Sequence, residues 1–93
     1  MVAVTEGERP LTVAQRFSSN LLRAREGASL SQEEVGFRAG LHRTEISQLE
    51  RGLRVARIDT LSKLCGGLGV EPGVLMVGIT WTPPRVEGGG FQP

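Results

Sequence analysis

Between positions 30 and 52 the chain gathers side chains able to hydrogen-bond a polyanion or a base edge. The stretch reads Leu-Ser-Gln-Glu-Glu-Val-Gly-Phe-Arg-Ala-Gly-Leu-His-Arg-Thr-Glu-Ile-Ser-Gln-Leu-Glu-Arg-Gly. Polar groups recur where the second of two short helices would meet an outside surface. Small or apolar residues sit where the two helices would cross. This is the layout of a helix-turn-helix, whose second helix enters the DNA major groove. A plain helical hairpin with no DNA role is the alternative. Two glycines bear on the choice. Gly36 falls inside the first of these helices, where glycine costs about 0.5–1 kcal/mol against alanine, and that cost makes sense if the next helix crosses close by. Gly40 supplies the left-handed turn. Val35, Leu41, Ile46 and Leu49 line the inside.

The elements that must hold this stretch follow from periodicity. Residues 1–11 show no clear period, end near Pro10 and read as a flexible arm. Residues 12–78 read as one helical domain, and 79–93 as an extended tail. Thr12 caps a first helix whose Val13, Phe17, Leu21 and Ala24 share a face, with Gly27, Ala28 and Ser29 ending it. Ser31 and Glu34 form a capping box at the second helix, which buries Val35 and Ala39. The third helix, 43–51, buries Ile46 and Leu49 and stops at Gly52. Ile58, Leu61, Leu64, Cys65 and Leu68 mark the apolar face of a fourth, ended by Gly66, Gly67 and Gly69. Glu71 and Pro72 start a short fifth helix carrying Val74, Leu75 and Val77. After Gly78, Pro83-Pro84 and Gly88-Gly89-Gly90 exclude a continued helix. Ile79, Thr80 and Trp81 suit a short strand paired with the segment around Phe91.

Composition bounds the function. Ninety-three residues make one small domain without room for a deep cleft. The net charge is only +1. Residues 16–57, however, hold eight arginines against five glutamates, so the basic excess coincides with the motif. The ratio of ten arginines to one lysine suits phosphate and guanine contacts, although GC-rich coding gives the same ratio and is the preferred cause. One histidine, one cysteine and no acidic cluster around them offer no triad, metal site or acid–base pair. The expectation is a protein that is not an enzyme and needs no cofactor. No apolar run nears the roughly 20 residues of a membrane span, and no signal peptide is visible. A single cysteine leaves no internal disulfide, and a cytoplasmic location fits.

Three segments together carry a family resemblance: Leu30-Ser31-Gln32-Glu33-Glu34, Ile46-Ser47-Gln48-Leu49-Glu50-Arg51-Gly52, and residues 64–70. Over residues 20–77 the chain resembles the Xre family of helix-turn-helix regulators, the group of the lambdoid phage repressors and Cro. The resemblance implies an all-α, five-helix repressor-like domain that regulates transcription by binding double-stranded DNA. It assigns base reading to Arg43, Thr44 and Gln48. Arginine suits guanine O6 and N7, glutamine suits adenine N6 and N7, and threonine can meet a thymine methyl. Gln32, Ser47 and Arg51 match phosphate contacts, and Arg54 and Arg57 are plausible ones. Arg25 and Glu50 match a structural salt bridge. Three positions depart from the family pattern. His42 replaces a Ser or Thr cap; it should cap poorly, but it could reach a phosphate or simply stand in solvent. Ala56 and Arg57 replace a Pro-Ser start, so the fourth helix should begin raggedly. Cys65 replaces alanine and reads as a buried apolar thiol rather than a redox sensor.

The same resemblance implies a homodimer on a near-palindromic site. Val74, Leu75, Val77, Ile79 and Trp81 are the candidate dimer surface, a reading preferred over one in which Trp81 folds back on its own core. The competing reading is an antitoxin-like or adaptor module that grips a protein partner through its tail. No small-molecule ligand is suggested.

Overall fold

The structure, a computed structural model, describes residues 11–84 and 89–91. Of the expected arm only Leu11 falls within them, and Gly88 of the triglycine lies outside. The described chain runs through α1 (Val13–Gly27), α2 (Gln32–Ala39), α3 (Arg43–Glu50), α4 (Ile58–Leu68), α5 (Pro72–Leu75), β1 (Trp81–Thr82) and β2 (Gly90–Phe91).

Local chemistry sets most boundaries. Thr12 Oγ1 accepts from the Gln15 amide, and Gln15 Oε1 accepts from the Thr12 amide, closing a capping box on α1. Ser31 and Glu34 repeat the device on α2. The turn after α1 is made by Ser29, at φ +57°, and not by Gly27, which is the last helical residue. Gly40 ends α2 in the left-handed region, at φ +67°. α3 stops at Glu50, with Arg51 at its C-cap.

Two features of α4 depart from the sequence expectation. Gly66 and Gly67 lie inside the helix, and only Gly69 terminates it. A Cβ on Gly67 would stand 3.0 Å from the Ala39 amide nitrogen, so this glycine allows α2 and α4 to pack closely. Ile58, expected on the apolar face, is 82% exposed. It occupies the first helical position, and Thr60 is the inward residue of that turn. Arg57 stands at the N-cap with no side-chain cap bond, in keeping with the expected ragged start.

Phe17, Leu21, Val35, Ile46, Leu49, Leu64 and Leu75 form one core with Ala39 and Cys65. Each such burial contributes about 1.5–3 kcal/mol for the large aliphatic and aromatic side chains. Asn20 and Thr60 are the buried polar residues of this interior, and Asn20 makes the tie between elements. Its Nδ2 donates to the Leu75 and Val77 carbonyls, both at 2.9 Å, and so ties α5 to α1. Leu75 is completely buried. It holds α5 to the core and presents nothing to a second chain, which removes it from the expected dimer surface. Ile79 also packs against the core, while Val74, Val77 and Trp81 are exposed.

The tail adds a two-stranded antiparallel hairpin in which Trp81 faces Phe91 and Thr82 faces Gly90. The strand expected at Ile79, Thr80 and Trp81 is thus present, shifted to Trp81–Thr82. The Trp81 and Phe91 rings meet edge to face at 5.2 Å, and both remain more than half exposed.

Candidate nucleic-acid interface

The crossing of α2 and α3 is governed by backbone proximity. An ideal Cβ on Gly36 would lie 2.7 Å from the Leu41 carbonyl oxygen and 3.4 Å from the Arg43 amide nitrogen. Only glycine lets the turn and the first residue of α3 fold onto α2 at that distance. Leu41 closes the turn by donating its amide to the Gly36 carbonyl at 2.8 Å.

His42 then starts α3. Its Nδ1 accepts from the Thr44 amide at 3.1 Å, so the imidazole caps the helix, contrary to the poor capping expected of it. The cap uses Nδ1 as the acceptor, which leaves Nε2 as the N–H donor of the neutral ring.

The back of α3 is anchored through Glu50. Arg25 Nε donates to Glu50 Oε2 at 2.5 Å and Nη2 donates to Oε1 at 2.9 Å. Arg25 Nη1 donates to the Leu30 carbonyl, and Gln32 Nε2 donates to Glu50 Oε1 at 3.0 Å. One carboxylate therefore joins α1, the start of α2 and the end of α3. The bond to Glu50 raises the Arg25 pKa, against the opposing effect of burial. Glu50 is only 5% exposed in its side chain, so the arginine is what makes its negative charge tolerable there.

With its back fixed, α3 turns Arg43, Thr44 and Arg51 to solvent, with Ser47 and Gln48 half-buried beside them. Gln32, Arg43, Thr44 and Ser47 line one shallow groove. These are residues that sequence reasoning named, on three different turns of two helices. Arg54 and Arg57 lie elsewhere. The Arg54 guanidinium folds back onto α3, with Nη1 3.3 Å from Gln48 Oε1 and Nη2 3.8 Å from Glu45 Oε2. Arg57 Nε stands 3.6 Å from Asp59 at the exposed start of α4.

Sequence reasoning missed Glu45 and Asn20. Glu45 lies one turn before Leu49 on α3, within reach of the arginine-bearing loop that follows. Asn20 sits between Phe17 and Leu21 on the buried face, and a polar residue there signals a backbone to be held. Among the described residues no group of three His, Cys, Asp or Glu gathers as a metal site, and no helix is long and apolar enough to cross a membrane.

Residues 21–75, more than half the chain, match the HTH_3 helix-turn-helix family. The chain belongs to this family. The control protein C.BamHI of Bacillus amyloliquefaciens is 44% identical over 45 residues, which cover 48% of this chain and 56% of that protein. The chain thus spans little more than half the length of that relative. An HTH-type transcriptional regulator of Sinorhizobium fredii, y4dJ, is 40% identical over 65 residues, covering 70% of this chain and 84% of the relative. Among solved structures, the restriction-modification controller protein C.AhdI of Aeromonas hydrophila superposes with a TM-score of 0.65 at 34% identity. That match covers 67% of this chain and 94% of C.AhdI. The HTH_3 match and these relatives agree with the resemblance drawn from the three sequence segments and with a helical repressor-like fold.

Proposed function

We propose that this chain, a DNA-binding transcriptional regulator of the HTH_3 family, reads the major groove with α3 and acts as a homodimer on a near-palindromic operator. The observation that carries the reading is the Arg25–Glu50–Gln32 clamp. It fixes α3 from behind and leaves Arg43, Thr44, Ser47 and Gln32 on one groove-facing surface. In this reading Arg43, Thr44 and Gln48 approach base edges. Gln32, Ser47 and Arg51 take phosphates, and His42 joins them through Nε2, the ring nitrogen its cap does not use. The activity is binding without catalysis, and a regulator of this kind works in the cytoplasm beside its DNA. The relatives described as controller proteins favour a role in controlling a restriction-modification system. Exposed Val74, Val77 and Trp81 supply the apolar surface for pairing two copies.

Selection of bound duplexes from a random pool tests this directly. Arg43→Ala should relax preference at one base pair by about 1–3 kcal/mol. Arg51→Ala should weaken binding to all sequences alike and lower the salt slope by about one. Equal losses for both variants on every duplex would overturn the assignment. The exposed Trp81–Phe91 pair favours a second reading, in which the tail grips a protein partner. Capture of a partner from the native host that is lost in Trp81→Ala would support it.

A further inference from the structure

The family resemblance makes Gln48 an adenine reader and Arg54 a plausible phosphate contact. Their geometry assigns them otherwise. The Gly52 turn, at φ +69°, and the Leu53 amide bonded to the Gln48 carbonyl at 3.0 Å bring the loop back over the last turn of α3. The Arg54 guanidinium thereby meets the Gln48 amide at 3.3 Å and the Glu45 carboxylate at 3.8 Å. A guanidinium carries only donors. Whichever way the Gln48 amide is drawn, its oxygen must face Arg54 and its NH2 must face away. Glu45 holds the guanidinium from the other side, and its side chain is only 24% exposed.

We infer that Arg54 is a specificity-positioning residue that turns the Gln48 amide so that α3 presents an NH2 group, and therefore reads guanine and not adenine. Guanine offers two acceptors, N7 and O6, in the major groove. Adenine offers one acceptor and one donor, so a bidentate pair needs the amide oxygen turned to the base, whereas Arg54 turns it to the loop. Cytosine offers only a donor there, and thymine a single acceptor, O4, against the two of guanine. The inference rests on the major-groove reading above. It differs from that reading in making Arg54 act through Gln48 with no contact of its own to the DNA.

The test is selection from a random duplex pool with the full chain and with Gln48→Ala, Arg54→Ala and Arg54→Lys, each checked for helicity. The position at which Gln48→Ala loses its preference marks the base pair concerned. At that pair the parent should favour guanine over adenine by about tenfold, the size of one good base contact. Arg54→Ala should bring the ratio to one or below with preferences elsewhere unchanged. Arg54→Lys, which still donates to the oxygen, should restore most of it. A uniform loss of affinity in Arg54→Ala with a shallower salt slope would make Arg54 a phosphate contact and overturn the inference. So would a parent that prefers adenine at this pair. A parent with no base preference anywhere would sink the major-groove reading itself, whereas a guanine preference indifferent to Arg54 would sink only the positioning role.

Discussion

The Glu50 carboxylate receives three N–H donors, two from Arg25 and one from Gln32, and its worth lies in what each partner's loss exposes. Arg25→Met keeps the bulk but leaves a nearly buried carboxylate with one neutral donor. We expect a loss of about 3 kcal/mol, read as a lower denaturation midpoint with an unchanged slope. Cys65 makes a second residue-scale test. Burial among the core side chains, with a smaller contribution from Glu71, pushes its thiol pKa up. A group whose proton is held more tightly in the folded state contributes stability that is complete at neutral pH and is lost as pH rises through the folded value. Stability should therefore fall above the ordinary thiol range of about 8.5, and Cys65→Ala should lose that alkaline dependence. Alkylation of the native thiol should be slower than that of the unfolded chain. The clamp was legible only through the family resemblance, which pairs Arg25 with Glu50, whereas the buried thiol follows from the place of Cys65 on the apolar face of α4. The role of His42 was not. Whether an imidazole nitrogen turns to a backbone amide depends on a rotamer that residue type does not specify.

At the scale of elements, Gly36 decides how α2 and α3 meet. On an exposed helix, Gly→Ala stabilises by up to about 1 kcal/mol. Here the added Cβ would fall 2.7 Å from the carbonyl oxygen of Leu41, whose amide closes the turn onto Gly36. The sign should reverse, with Gly36→Ala destabilising on the order of 2 kcal/mol, measurable by urea denaturation. A variant as stable as the parent would mean that the turn can shift and that the crossing is looser than described. The helices were legible because capping boxes and left-handed glycines punctuate them locally. α4 was less so. Its glycines look like terminators until Ala39 of α2 is known to pack against Gly67, and Ile58 looks like core until the first turn of α4 is seen to present Thr60 inward. Such facts belong to pairs of elements and not to either one.

Taken whole, the molecule is a helical body whose tail ends in a small aromatic hairpin. Val74, Val77 and the hairpin rings remain exposed, whereas Leu75 is consumed by the core. The sequence could not separate these neighbours, because α5 is a single turn and too short to show a face. If the exposed set pairs two copies, sedimentation at tens of micromolar should give a dimer that Trp81→Ala weakens. A monomer at that concentration would count against pairing through this surface. The position of Trp81 has a practical side. It is the sole tryptophan, and the chain has no tyrosine, so the tryptophan fluorescence originates in the hairpin and none of it in the packed helices. Emission should follow the opening of the Trp81–Phe91 contact or its burial against a partner, while circular dichroism follows the helices. The two signals can therefore melt at different temperatures without any folding intermediate in the DNA-binding domain, and a fluorescence titration with DNA should stay flat unless the tail responds.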